Sequence, residues 1–581
     1  MSLQNTHCYT IRNLFEEPVR FDIPSYQRAY SWDVNAGKQQ VRQFIADLEE
    51  QHPDKGYYLG HFLFEQGKES KLHVIDGQQR LTTVVIFFAA VVQEMEGRLI
   101  NGDTEAHSIE LSRLRETYFI RDGRRRFDTV AGDRGFFRAR ILDRTSREPG
   151  DTSSRRRIAE ADEWFSKAIK DKPTHELRRW VDLVEAAAIT TFPVTDKIQA
   201  TQIFAFQNDR GKDLTQLEKL KAYLMYQVYL HSDTDREIDE IGELEAAFGE
   251  IYTTTPRLDL NEDQVLSHHC TTYLRPSGGS METIKAKLGE CKSSSEKVKW
   301  IVRFVAELRD TYTHVERIEE MARHHERIAD PLILDAGHSW PLLLKLYRDH
   351  REAIAGPSFD RLLRLVEMAT FKKIFLHGSC VNDLPNWAFH LQAGGEDALE
   401  AKLEQASRRS FRGGQNCGAA LRDAFTWTSH WSAHFRYLLW KYENSLRKDR
   451  DYLISPGVYM NELDDPRMGS TLDHIIPRNP KEHIHEDEFI HKYLNDLGNL
   501  VLMTHSANSS YGRMMPSEKW QHMMGSSLAS HREIGESIRD AGGIWDKKQI
   551  EDRKNLIAEF AFQHWEAIEE PVTIEQTADA P

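Results

Sequence analysis

Residues 81–92, LTTVVIFFAAVV, carry no charge, and Thr82 and Thr83 are their only polar side chains. A helix of this composition is apolar on nearly every face, so the fold has to surround it. The run is too short to cross a bilayer, which takes ~20 residues. At least one core is therefore built around this segment. The residues before it narrow the choice further. KLHVID (71–76) has strand character, and YYLGHFLFE (57–65) reads as its hairpin partner across the polar turn Gln66 to Ser70. Between strand and helix stands one polar knot, Asp76-Gly77-Gln78-Gln79-Arg80.

Each member of that knot has a physical use. Glycine lets the backbone turn sharply and approach a ligand. The free N–H groups and dipole at the start of the next helix favour an anion. Arg80 adds a bidentate phosphate contact, and the hydroxyls of Thr82 and Thr83 are further donors. Asp76 repels phosphate, so its use is to hold a metal ion or to orient Arg80. No G-x-x-x-x-G-K-[ST] occurs in the chain, so this is not a P-loop. The plainer alternative is a strand-to-helix turn with an internal Asp76–Arg80 pair.

At 581 residues the chain exceeds what one core usually serves, and two to four domains are expected. The fold class expected is α+β, multidomain and mostly helical. Residues 1–230 mix strands and helices, with helix over Val41–Glu49 and strand near AAITTFPVT (187–195). A helix capped by Asp213 or Thr215 follows. Residues 231–400 read as amphipathic helices, 401–570 as a further region that is aromatic and helical at first, and 571–581 as a disordered acidic tail. Five scattered cysteines without a C-x-x-C pair, and no N-terminal signal pattern, point to a cytoplasmic protein with reduced thiols and no membrane segment. His268-His269-Cys270 with Cys291 fits no common zinc spacing.

Net charge is −15, yet Leu111 to Glu160 holds fourteen Arg against eight acidic residues and no Lys. Arg suits bidentate phosphate contacts. Arg124, Arg125 and Arg126 are thus candidate DNA contacts, and a solvated helical face is the bland reading of the same stretch.

A second knot lies in TLDHIIPRNP (471–480), where Asp473 and His474 end an apolar strand and Pro477 stops it. Downstream, Asn499 opens a short apolar strand and Asn508 follows nine residues later. Phosphodiester hydrolysis needs a base, for which His is suited. It also needs a divalent metal on hard oxygen ligands, for which Asp and an Asn carbonyl are suited.

Four ordered segments carry a resemblance: IPSYQRAYSW (23–32), YYLGHFLFE (57–65), VIDGQQRLTT (74–83) and FQNDRGKDLTQLEKLKAYL (206–224). Together they resemble the N-terminal half of GmrSD-like modification-dependent restriction enzymes. The resemblance implies a domain related to the ParB/sulfiredoxin fold, which binds and hydrolyses GTP or ATP and couples this to DNA cleavage. Its Gly-x-x-Arg turn maps to Gly77 and Arg80, and Asp76, Gln78, Gln79 and Thr82 complete the motif. Its N-x-R-G maps to Asn208, Arg210 and Gly211, and its later acid and Lys to Glu218 and Lys221, where Asp is more usual at the first. Tyr26, Gln27 and Arg28 match the early motif, a neighbourhood implicated in reading the DNA modification in phosphorothioate-sensing SspE-type relatives.

The set D-H-x-x-P, G-N-L-x-L, N is similar to the ββα-metal (His-Me finger, HNH) nuclease motif. It implies His474 as general base, Asp473 and Asn508 as ligands of one Mg²⁺ or similar ion, and Asn499 as the residue holding the loop that orients His474. Lys519 is expected to contact phosphate. Many relatives have Glu where Asp473 stands, and other HNH proteins have a second His at the position of Asn508. The expected function is an anti-phage defence nuclease that senses modified DNA, hydrolyses NTP and nicks or cuts, with homo-oligomerisation open. A nucleotide-switched DNA sensor without cleavage, and an RNA-cleaving growth-arrest effector, are the alternatives.

Overall fold

The computed structural model describes residues 7–35, 39–51, 56–67, 70–103, 108–194, 215–232, 236–276, 278–376, 387–408, 432–447, 453–460, 472–478, 486–503 and 513–566. The chain is α+β and mostly helical, and it divides into two compact units, 1–316 and 317–581. The boundaries expected at 230 and 400 fall inside these units.

The first unit carries β1 (His7–Thr10), α1 (Ile11–Glu16), β2 (Arg20–Asp22), α2 (Gln40–Glu50), β3 (Tyr58–Gln66), β4 (Lys71–Asp76), α3 (Gln78–Ile100) and α4 (Ser108–Tyr118). Next come β5 (Ile120–Arg121), β6 (Arg124–Arg125), β7 (Phe127–Asp128), α5 (Arg134–Phe137), α6 (Ser153–Lys170), α7 (Thr174–Glu185) and β8 (Ala188–Val194). Six strands form one mixed sheet in the order β1-β8-β3-β4-β2-β7. β3 and β4 are the expected antiparallel hairpin, while β8 runs parallel to β3 and β2 parallel to β4. Every residue of α3 from Leu81 to Val92 is buried. It shares one core with Phe62, Phe64 and Val74 of the sheet and with Phe165 of α6. Phe88 stacks on Tyr118 with ring centroids 4.0 Å apart. Truncating a side chain such as Phe88 to Ala is worth ~3–5 kcal/mol.

Helices α8 (Gln216–His231), α9 (Glu237–Thr254), α10 (Glu262–Tyr273), α11 (Ser280–Glu290) and α12 (Ser294–Ala322) follow. Thr215 caps α8: its hydroxyl accepts from the Glu218 N–H at 3.2 Å, and the Glu218 carboxylate accepts from the Thr215 N–H at 2.9 Å.

The second unit contains α13 (Glu326–His350), α14 (Pro357–Leu376), α15 (Trp387–Arg408), α16 (Ser432–Leu446), β9 (Leu472–His474), β10 (Leu500–Leu502), α17 (Pro516–Met524), α18 (Ala529–Asp540) and α19 (Lys547–Glu566). β9 and β10 pair antiparallel, with Leu500 opposite His474 and Val501 opposite Asp473. Alternation along the strands feeds two cores. Leu472, Leu500 and Leu502 join Phe371 of α14, Trp440 of α16 and Trp565 of α19, whereas Val501 and Met503 join Met523 of α17 and Ile534 of α18. The small β9–β10 ribbon is thus clamped between helices, including α14 from the stretch expected to be a separate helical domain.

Candidate functional site

In the first unit the Asp76–Arg80 knot is a strand-to-helix turn. Gly77 has φ +86°, and a Cβ there would overlap the Phe62 ring, so glycine is required on both counts. The Gln79 side chain is engaged within the chain. Its side-chain oxygen accepts from the Ser31 N–H at 2.8 Å and its amide donates to the Ala29 carbonyl at 3.2 Å. The Gln27 amide donates to the Ile75 carbonyl at 3.1 Å, and the Tyr30 and Thr83 hydroxyls are 2.8 Å apart. These bonds strap the Tyr26–Ser31 segment to the knot, so two motifs distant in sequence are one structural unit.

The hydroxyls of Thr82 and Thr83 also differ from the expected phosphate donors. Both residues are buried, and each hydroxyl donates to the carbonyl four residues back, Gln78 at 2.7 Å and Gln79 at 2.8 Å. The helix itself uses them. Arg80 donates to the Leu59 carbonyl at 3.0 Å, lies 3.5 Å from Asp76 and stands 5.1 Å from the Phe62 ring centroid. Gly60, at φ +103°, leaves the space its guanidinium fills. Burial lowers the Arg80 pKa while Asp76 opposes the shift. Gln78 keeps its buried side-chain oxygen without a hydrogen-bond partner among the described residues.

Tyr26, Arg28, Glu218 and Lys221 also meet in this unit. The Lys221 ammonium, 5 % exposed, donates to the Tyr26 carbonyl at 3.1 Å and lies 5.1 Å and 5.6 Å from the Tyr26 and Tyr252 rings. Burial pulls its pKa down to about 8 against the attraction of Glu218, Glu245 and Glu262. Arg28 pairs with Glu218 at 3.0 Å. A cavity of about 650 Å³ opens beside them, lined by Arg28, Tyr30, Arg157, Thr215, Tyr252 and Glu262 among others. Asn208, Arg210 and Gly211 lie outside the described residues.

The Arg-rich stretch is largely paired internally. Arg113 binds Glu185 at 2.6 Å, Arg115 binds Glu96 at 2.7 Å, Arg138 binds Asp128 at 2.7 Å and Arg157 binds Asp33 at 3.0 Å. Arg125 is held by Asp143 at 2.9 Å. Arg126, 5 % exposed, donates to the carbonyls of Phe15, Glu17, Val19 and Thr117. Of the three expected DNA contacts only Arg124 is exposed, on a short ribbon turned by Asp122 and Gly123 at positive φ. Of the acids in these pairs, Glu185, Glu96 and Asp33 lie outside the stretch, and Asp128 and Asp143 lie within it.

In the second unit β9 presents Asp473 and His474, both buried. Successive side chains on a strand point to opposite faces, and these two meet different neighbours. Lys519 of α17, 1 % exposed, donates to the Asp473 carboxylate at 2.9 Å and to the His474 carbonyl at 2.7 Å. It therefore faces inward, unlike the phosphate contact expected of it. His474 Nε2 is 3.1 Å from Asn495 Oδ1. Burial lowers the His474 pKa, with Asn495 and Asp473 opposing.

Asn499 is fully buried. Its side-chain oxygen accepts from the Ile476 N–H at 2.9 Å, and its amide donates to the carbonyls of Leu494 at 2.8 Å and Ile476 at 3.3 Å. It thus ties the 494–499 loop to the strand carrying His474. Arg553 of α19 donates to the carbonyls of Leu497, Gly498 and Leu500, and Lys554 binds Asp496 at 2.6 Å. Sequence reasoning missed Asn495, Arg553 and Lys554. Spacing alone does not say which of Asn495 and Asn499 faces the histidine.

Asn508 lies outside the described residues. Among the described residues no three His, Cys, Asp or Glu side chains gather as a metal site, the His268–Cys291 set included. Also among them, no helix is long and apolar enough to cross a membrane.

Residues 11–225 match the family model of the GmrSD restriction endonuclease N-terminal domain. Residues 418–560 match that of the GmrSD restriction endonuclease C-terminal domain. No curated protein matches the chain. The two domain matches together span more than half of the sequence and define the protein as a DNA endonuclease of the restriction class. The chain belongs to the GmrSD restriction endonuclease family.

Proposed function

We propose that this is a defence nuclease that senses DNA modification, hydrolyses NTP in its first unit and cuts or nicks DNA at His474 with an HNH-type site. The observation that carries the cutting assignment is the β9–β10 ribbon, where Asp473 and His474 share one strand and Asn499 fixes the adjoining loop. His474 takes a proton from water. The water oxygen forms a bond to phosphorus, and the bond from phosphorus to the leaving sugar oxygen breaks, with that oxygen protonated by solvent. A bound Mg²⁺ supplies stabilisation of charge on the phosphate and the leaving oxygen. The donors fit a hard cation in kind: Asp473 would offer a carboxylate and Asn508 an amide oxygen, with the Lys519 ammonium on Asp473 Oδ2 as the competing cation.

For nucleotide binding, support comes from the start of α3, where the free N–H groups of a long helix favour an anion and Arg80 is partly exposed. Asp76 orients Arg80 in this reading. Tyr26 and Arg28 read the modification, next to the cavity that Arg28 lines. Separate variants test the two halves. Arg80→Ala should lose NTP turnover together with modification-dependent cutting, while His474→Ala loses cutting alone and retains NTP turnover. Normal cutting by His474→Ala would refute the nuclease site.

A further inference from the structure

The Oδ1 of Asn495 lies 3.1 Å from Nε2 of His474. A carbonyl oxygen only accepts, so the proton in this bond belongs to the imidazole. A neutral imidazole carries one N–H, which leaves the basic lone pair on Nδ1. We propose that Asn495 is a positioning residue of the nuclease site, holding His474 as the Nε2–H tautomer so that Nδ1 is the nitrogen that takes the proton from water. This rests on the reading of His474 as the general base.

The surrounding loop is built to keep Asn495 in place. Its neighbour Leu494 is held through its carbonyl by Asn499 at 2.8 Å. Asp496 on the other side accepts from the Gly498 N–H at 2.9 Å and from Lys554 at 2.6 Å. Arg553 fixes three further carbonyls of the segment. The side chains of Asp496 and Asn499 serve the loop itself, whereas the amide oxygen of Asn495 serves His474. The role expected of Asn499, orienting the histidine, is thereby transmitted through Asn495.

The test uses the full-length protein with Mg²⁺ and a DNA it cuts. Asn495→Leu keeps the size and removes the acceptor; Asn495→Asp keeps an acceptor that cannot donate. Asn495→Leu should lower kcat by ~10–100-fold, the usual effect of losing a residue that orients a functional histidine. DNA affinity and thermal midpoint should hold, and Asn495→Asp should recover most of the rate. The second readout is ¹⁵N NMR of histidine-labelled protein, with the His474 signal identified by its loss in His474→Ala. The neutral parent ring should carry its proton on Nε2, and Asn495→Leu should shift it towards Nδ1. Parental kcat in Asn495→Leu, or a parent ring protonated on Nδ1, overturns the inference while leaving an inactive His474→Ala to support the base. An active His474→Ala would instead remove the base reading and this inference together.

Discussion

Gly498→Ala should damage the nuclease site from a position that touches no substrate. A Cβ at Gly498 would overlap the Ile550 carbonyl oxygen and stand 2.7 Å from its carbonyl carbon, where real contacts keep at least 3.0 Å. Both partners are backbone, on the 494–499 loop and at α19, so neither yields as a flexible side chain would. The loop and helix must part by roughly 1 Å to restore contact distance. Overpacking of this kind costs ~1–3 kcal/mol. The loop that moves also bears Asn495 and Asn499, and a misplacement of ~1 Å near reacting groups costs about 100-fold in rate. Denaturant unfolding and single-turnover DNA cleavage would be measured beside Gly525→Ala, whose added Cβ meets only an ordinary 3.7 Å contact. Both stability and rate should fall in Gly498→Ala and hold in Gly525→Ala. Parental values for Gly498→Ala would refute the argument that this close approach fixes the site.

Lys221 gives a pH signature. Its folded pKa of about 8 lies below the ordinary 10.5, so between those values the unfolded chain binds more protons and stability rises with pH. Relative to Lys221→Met, the parent should gain ~3 kcal/mol across this window; parallel stability curves would contradict the burial of the ammonium. Arg126→Ala should destabilise the first unit by ~1–3 kcal/mol, because buried carbonyls lose their donor. Arg124→Ala should leave stability unchanged and reduce the salt slope of DNA binding by ~1 if that arginine meets phosphate; the reverse pattern would undo the separation made between them. Lys519→Met strips the buried Asp473 of its counter-charge and should cost ~3–5 kcal/mol in unfolding experiments, an effect that a solvent-facing Lys519 would not produce.

Features set by local pattern were legible in the sequence. The β3–β4 hairpin, the buried α3, a helix cap at Asp213 or Thr215 (Thr215 in the structure) and the apolar strand ending in Asp473-His474 all follow from periodicity or capping chemistry over a few residues. What was not legible depended on long-range partners. The arginines of 111–160 looked like a polyanion footprint because Glu185, Glu96 and Asp33, which neutralise several of them, lie far away in sequence. Gln79 looked like a ligand contact because nothing local says that Ala29 and Ser31 fold back onto it. Lys519 shows the same limit: residue type indicated a polar contact, and only the packing of α17 set its direction. Asn495 carried no local signal at all, and only the 494–499 loop brings it to His474.

His474 is proposed to cut DNA in a manner set by the DNA's modification. Parent protein and His474→Ala would be mixed with unmodified, phosphorothioated and glucosyl-hydroxymethylated DNA, with Mg²⁺ and with or without GTP or ATP. Cutting is expected from the parent alone, at rates that depend on the modification. Equal cutting by His474→Ala, or no cutting of any DNA by the parent under all of these conditions, would contradict it.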